Sequence, residues 1–500
     1  MAPHPVQAFV LIKKYINMNN DLQNLKPQIL WHYFGEVLRI PRPSKKEEKI
    51  RAYLVDFARQ HNLECHEDAT GNVLIRKPAT PGHENRPGIV LQSHMDMVCE
   101  KNGDSTHNFD TDPIEAYVDG DWVKAKGTTL GADNGMGVAT QLAILASNDL
   151  EHGPLECLFT VDEETGLTGA FGLQQGFLQG KTLLNLDSED DGLFFIGCAG
   201  GIDTVIKFPY RKELIDPKLQ YFQIQVKGLA GGHSGDDINK GRGNAIQLLA
   251  RLLYRLDEAS PLRIASFNGG NLRNAIAREA VACIGVNPDQ AAGLANEVAR
   301  FKKLFTEEYK ATEPALDVVL TEISKPEILM KQEDGRALIY ALNACPHGVL
   351  RMSDEIKDFV ETSTNLASVS TQDRFVLICT SQRSSVESAK HFAAQRVAAC
   401  FKAIGAQTEH SEGYPGWKPN ANSPILKLAL DTFRDLFHEE GKALAIHAGL
   451  ECGLFSEKYP GMDMVSYGPT MRGVHSPDER VLISTVERFW ELTVELLKRF

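Results

Sequence analysis

Two histidines, two aspartates and a glutamate lie where apolar runs give way to polar chain, and their side chains form a donor set for metal ions. Gly88 to Ser93 runs into His94-Met95-Asp96, Leu155 to Val161 ends in Asp162-Glu163-Glu164, and Thr182 to Leu186 ends in Asp187. Asp463 to Tyr467 is followed by a loop carrying His475, and Asp133 stands in Gly131-Ala132-Asp133-Asn134-Gly135 just ahead of an expected helix. Singly these signals are weak. A His-x-Asp after a strand is commonly a hydrogen-bonded surface pair, a Glu-Glu pair a solvated face, and an Asp ahead of a helix an N-cap. Their conjunction is harder to attribute to chance. Two imidazoles and three carboxylates suit zinc and offer too few oxygens for calcium. With one carboxylate bridging, five groups give two ions three ligands each and leave room for a shared water, which is a hydrolytic arrangement. Such chemistry also needs a base. Glu163 beside Glu164 is the candidate, although spacing alone does not divide ligand from base between the two.

Donors so far apart in sequence need a scaffold that gathers them. Between Leu22 and His61 apolar residues recur at helical spacing (Leu30, Phe34, Val37, Leu38, then Ile50, Leu54, Phe57), broken by Pro41 and Pro43, which predicts two helices. Asn72 to Ile75, Gly88 to Gln92, Leu155 to Val161 and Thr182 to Leu186 read as strands, with helices at Gly137 to Ala146 and Phe171 to Leu178. Alternating strands and helices predict an α/β domain with a mostly parallel central sheet, whose ligand sites lie beyond the carboxyl ends of the strands. Gly200-Gly201 reads as a hinge into a second, α+β region, with strands at Tyr221 to Val226, Val281 to Val286, Leu366 to Ser370 and Arg374 to Cys379. Helices are expected there at Leu294 to Phe305 and Ser388 to Ile404. After the turn-rich Gly413 to Asn420, the helix Pro424 to Phe437 and the strand Asp463 to Tyr467 return to the first pattern. The expected organisation is a catalytic domain in two parts, 1–200 and 417–500, interrupted by an inserted α+β domain at 201–416.

Composition narrows the function classes. The 500 residues favour more than one domain. The formal charge is −13 and no stripe of Lys and Arg stands out, so nucleic acid is not an expected partner. Nine scattered cysteines without a C-x-x-C pair suit reduced, mostly buried thiols and a cytoplasmic location. The apolar stretch Ala8 to Ile12 is short and followed by Lys13-Lys14, unlike a signal peptide, and Met18 is a candidate true start. No apolar run is long enough to span a bilayer, so no membrane partner is expected.

Together, His94-x-Asp96, Gly131-Ala132-Asp133-Asn134, Asp162-Glu163-Glu164, Asp187 and the late His475 resemble the pattern of the zinc-dependent M20 peptidases, and Gly231-Gly232-His233-Ser234-Gly235 resembles that family's lid motif. Gly127 to Gly135, Gly197-Cys198-Ala199-Gly200-Gly201, His447 to Gly453 and His475-Ser476-Pro477-Asp478-Glu479 are most similar to its aminoacyl-histidine dipeptidase branch, from about Leu22 to the end of the chain. The resemblance implies a zinc-peptidase catalytic domain with an inserted lid, and two zinc ions per subunit, with manganese or cobalt as possible substitutes. It implies His94 and Asp187 on one ion, Glu164 and His475 on the other, and Asp133 bridging. Asp96 would orient His94. Glu163 would be the general base, and His233 would stabilise the oxyanion. Asn274 and Arg383 would hold the carbonyl and carboxylate ends of the substrate, the Arg fork matching a carboxylate. Ala277 stands where relatives commonly carry Pro. The implied substrate is an unblocked dipeptide, Xaa-His included, bound in a cleft between the domains of a homodimer's subunit. The rival readings are an N-acyl amino acid amidohydrolase of the same superfamily and a non-catalytic peptide-binding relative.

Overall fold

In the computed structural model, which describes residues 20–500, the apolar runs of the first region become neighbouring strands of one sheet. Met18 and the stretch 8–12 lie outside the described residues. The described chain divides into two units. The first comprises the chain up to Ile196 with Asn420–Leu444 and Leu454–Phe500, and the second comprises Gly197–Pro419 with Ala445–Gly453.

The first unit is built on an eight-stranded sheet, in the order Glu64–Glu67, Val73–Lys77, Leu155–Thr160, Ile89–His94, Thr182–Asn185, Asp463–Ser466, Leu193–Cys198 and Lys442–Ile446. The four strands from Leu155–Thr160 to Asp463–Ser466 are parallel, and the strands that flank them, Val73–Lys77 and Leu193–Cys198, pair with them antiparallel. Ile89–His94 and Leu155–Thr160 are buried at every position, as strands covered on both faces must be. Register decides what meets at the strand ends: His94 pairs with Thr160 and Gln92 with Asn185, so His94, Glu163 and Asp187 all emerge on one side of the sheet. The helices Gln28–Leu38, Glu48–Gln60 and Ala132–Ala146 agree with the spacing of apolar residues. Helix Pro424–Phe437 starts where Ser423 accepts from the Leu426 amide and Pro occupies the first turn. The helix expected over Phe171 to Leu178 is absent. A helix covers only Thr168–Gly172, and the chain then turns through Gly176 at φ 87°.

A small four-stranded sheet, Met471–Arg472, Arg480–Leu482, Trp122–Ala125 and Ala116–Asp119, completes the first unit. Arg480 pairs with Lys124 and stacks its guanidinium 4.8 Å from the Trp122 ring. This register carries the loop 473–479, with His475 and Glu479, to the segment 126–133.

The second unit is an α+β body. Its nine-stranded sheet is antiparallel, and the helices Ala245–Ala259, Ala291–Glu308, Gln332–Ala344 and Glu387–Lys402 accompany it. Leu249, Leu253, Phe267, Ile284, Phe305 and Phe401 form part of a continuous buried core. Gly200-Gly201, expected as a hinge, instead opens the ten-residue strand Gly200–Pro209. None of the nine cysteines is in a disulfide among the described residues; four are buried and five half-buried. No helix among the described residues is long and apolar enough to cross a membrane.

Candidate metal centre

The strand ends bring five of the expected side chains into contact within the first unit. His94, at the end of its strand and 1% exposed, directs Nε2 to Asp133 Oδ1 at 3.1 Å and to Asp187 Oδ1 at 3.3 Å. His475 directs Nε2 to Asp133 Oδ2 at 3.2 Å and to Glu164 Oε2 at 3.1 Å. Asp133 therefore turns one carboxylate oxygen to each imidazole, and each imidazole faces one further carboxylate. The His475 side chain is 52% exposed, so solvent reaches the cluster from that side.

Three carboxylates packed this closely carry uncompensated charge. Burial, reinforced by the charges of Asp133 and Glu164, raises the pKa of Asp187. Burial also opposes the charge on Asp133, but His475 and His94 hold its carboxyl well below the usual range. The His94 imidazole is buried, which disfavours its charge, yet Asp187, Asp133 and Asp96 outweigh burial and raise it well above its ordinary value. Glu164 Oε1 is buried without a hydrogen-bond partner among the described residues, and Asp187 Oδ1 meets the strict geometry of a hydrogen bond with none, its nearest polar neighbour being His94 Nε2 at 3.3 Å. Clustered carboxylates, unsatisfied oxygens and two ring nitrogens fit divalent cations of the zinc type.

Around this cluster stand residues that aim it. Asp96 Oδ1 lies 3.3 Å from His94 Nδ1, and the same carboxylate accepts from Ser44 Oγ at 2.7 Å and from the amides of Glu163 and Glu164 at 3.1 and 3.3 Å. One carboxylate thus orients both the ring and the Glu163-Glu164 turn. That turn begins at Asp162, at φ 49°, whose carboxylate accepts from the hydroxyls of Thr165 and Thr168.

Two residues to which the sequence assigned no role fix the Asp133 loop. Glu479, 2% exposed, accepts from the amides of Leu130, Gly131, Ala132 and Asp133 at 2.7, 2.8, 2.7 and 3.3 Å. Burial, helped by the Asp133 charge, pushes its carboxyl up to about 7 against the pull of those amides. Arg42, 1% exposed, donates to the carbonyls of Met95, Asp96 and Gly131 at 3.1, 2.7 and 2.5 Å. Gly131, at φ 69°, is required here twice over: a side chain would be strained at that angle and would meet Arg42 Nη2 at 2.6 Å. Glu479 stood in a noted motif, but nothing local in the sequence pairs it or Arg42 with residue 131.

His233, Asn274 and Arg383 all belong to the second unit. His233 bridges Ala275, and the Ser234 amide donates to the Asn274 carbonyl at 2.8 Å, so the two loops are tied together. The segment carrying His233 is a series of turns, and the following helix begins at Ala245. His233 Nδ1 receives the amides of Gly235 and Asp236 at 3.3 and 3.2 Å and lies 3.3 Å from the Asp236 carboxylate. With both amides donating to Nδ1, a neutral ring carries its proton on Nε2, which is then a donor. Asn274 and Arg383 line one cavity of about 140 Å³.

Compared with known proteins, residues 90–499 match peptidase family M20/M25/M40. The chain is 46% identical over 479 residues to the cytosol non-specific dipeptidase of Escherichia coli (strain K12), covering 96% of this chain and 99% of the relative. The crystal structure of aminoacylhistidine dipeptidase from Vibrio alginolyticus superposes with a TM-score of 0.91 at 45% identity, over 96% of this chain and 98% of that one. Aminopeptidase PepT from Bacillus cereus ATCC 10987 is similar in fold alone, with a TM-score of 0.56 and 17% identity over 95% and 98% of the two chains.

Proposed function

This chain belongs to peptidase family M20/M25/M40, and we propose that it is a binuclear zinc dipeptidase acting on unblocked dipeptides, Xaa-His among them. The observation that carries the proposal is the placement of Asp133, one carboxylate oxygen towards His94 and the other towards His475. Two ions fit this arrangement, one with His94 and Asp187, the other with His475 and Glu164, and Asp133 shared. Manganese or cobalt would suit the same donors. Bound there, the ions supply a water of lowered pKa and polarise the carbonyl under attack.

The chain's own groups do the rest. Glu163, its backbone held by Asp96, takes the proton of the attacking water and returns it to the leaving amine. Asp96 acts through His94 by fixing the ring and raising its basicity. His233 would donate Nε2–H to the oxyanion of the tetrahedral intermediate. Asn274 holds the substrate's carbonyl end and Arg383 its free carboxylate. Arg383 is 9% exposed and makes no ion pair among the described residues, which suits a guanidinium reserved for an anionic ligand. A cytoplasmic location accords with reduced thiols and with the cytosol named for the Escherichia coli relative, and the homodimer rests on the resemblance of the inserted domain to the family's lid alone. Gel filtration tests the latter.

The deciding experiment is a substrate panel on the metal-reconstituted protein: Xaa-His and other dipeptides, β-Ala-His, and N-acetyl amino acids. Dipeptide hydrolysis with little action on N-acyl substrates is expected. Preferential release of N-acyl groups would replace this proposal with an amidohydrolase, and bound metal without turnover on any substrate would make the chain a binding protein.

A further inference from the structure

Three motifs have no part in this chemistry: Gly200-Gly201, Gly413-Tyr414-Pro415-Gly416 and His447-Ala448-Gly449. Within the second unit they meet at one aromatic ring. Gly201 is the cross-strand partner of Arg383, and on its other side it exchanges amide hydrogen bonds with Tyr414 at 3.0 and 2.9 Å. Tyr414 and Arg383 are thus two strands apart, about 10 Å between backbones, and the side chains must cross Gly201 to touch. They do: Arg383 Nη1 donates to Tyr414 Oη at 3.0 Å. A Cβ on Gly201 would lie 2.7–2.8 Å from the ring and hydroxyl of Tyr414, and one on Gly449 would lie 2.9 Å from the ring's opposite edge. The two glycines leave the slot that the ring fills. Lys390, 3% exposed, donates to the Tyr414 carbonyl at 2.6 Å and fixes the backbone beneath it.

The cavity lined by Arg383, Tyr414, Asn274, Arg273 and Asp203 contains two guanidiniums in different states. Arg273 is neutralised by Asp203 at 2.8 Å. Arg383 has no such partner among the described residues, and its Nε is buried without one. Asp236 feels the Arg383 charge from a distance but makes no ion pair with it, and a buried cation without a direct counter-charge is unfavourable unless a ligand supplies one. Because the phenol oxygen accepts from Arg383, its own O–H remains to donate. Burial raises the phenol's pKa, so that proton stays in place.

We propose that Tyr414 is a specificity-determining residue, holding the Arg383 guanidinium over Gly201 and adding its O–H to the same receptor for a peptide's C-terminal carboxylate. This rests on the role proposed above for Arg383. The test compares a dipeptide with its C-terminal amide on the metal-loaded full chain, reading KM and kcat for turnover and the inhibition constant where the amide is turned over slowly. In Tyr414→Phe, one hydrogen bond to a charged group is lost on each side of the phenol oxygen, and KM for the dipeptide rises about 10-fold or more. The amide's constant, kcat and metal content stay unchanged. Gly201→Ala, which displaces the ring, gives the same selective loss, and Arg383→Ala removes the preference for the free carboxylate. Equal losses on dipeptide and amide in Tyr414→Phe, or none, while Arg383→Ala still abolishes the preference, would overturn the role of Tyr414 and leave that of Arg383 standing. An Arg383→Ala protein that keeps the preference would overturn both.

Discussion

Above pH ~7, where Glu479 is ionised, Glu479→Gln removes the anion that holds the Asp133 loop while changing the side chain's volume very little. The native carboxylate receives four backbone amides, three of them at 2.7–2.8 Å. The amide keeps one acceptor oxygen for one pair of donors and sets an NH₂ group against the other pair, so two charge-assisted bonds disappear. At ~1.5 kcal/mol each, the low end for bonds to charged groups, the loss is ~3 kcal/mol. Gly131 cannot relax freely because Arg42 grips its carbonyl, so the loop is expected to shift as a whole and carry Asp133 away from His94 and His475. Restoring the loop then falls to the metal, whose affinity drops by ~10²-fold. Competition against a chromophoric chelator measures this on the apo protein, with a thermal melt in chelator to show that the fold persists. Glu479→Asp, which keeps the charge, recovers part of the affinity. Wild-type affinity in a folded Glu479→Gln protein would refute the reasoning.

The other predictions concern the base, the ions and a half-buried histidine. Glu163→Ala keeps its metal by elemental analysis but loses ~10²–10⁴-fold in kcat, the usual contribution of a general base; near-normal turnover would show that another group takes the proton. Chelation abolishes turnover and re-addition of zinc or manganese restores it, with two ions per chain expected by mass spectrometry of the native protein; a saturated, active protein with one ion would refute the shared role of Asp133. Burial lowers His347 to about 4, and its Nδ1 receives the Leu366 amide at 3.2 Å, so the folded ring stays neutral while the unfolded one gains a proton. Its contribution is therefore whole above pH ~6.5 and lost as pH falls towards 4, about 3 kcal/mol across the window. His347→Asn, which keeps an acceptor but cannot titrate, should flatten the pH dependence of urea-unfolding stability by roughly that amount, and an unchanged slope would exclude His347 as its source.

Sequence determined the candidate donors and the parallel core because both are local statements. Ligand chemistry restricts residue type, and strands buried on two faces must be apolar throughout, so His94, Glu164 and Asp187 stood out at the ends of readable runs. The same local reading overextended the helix at Phe171 and took Gly200-Gly201 for a hinge. The glycines are there for close approach within a strand, and spacing cannot tell that apart from flexibility. Tertiary structure decided what aims the donors. The amide of Leu130 and the carboxylate of Glu479 are 349 positions apart, and only the pairing of Arg480 with Lys124 brings them together. Arg42 between two prolines, Tyr414 in a turn and the attachment of Ala445–Gly453 to the second unit carry no signature in composition or period. A side chain whose partners are backbone amides and carbonyls leaves no complementary residue in the sequence to be read. The donor types of the candidate metal centre were therefore visible in the sequence, and the geometry that gathers them existed only once the chain had folded.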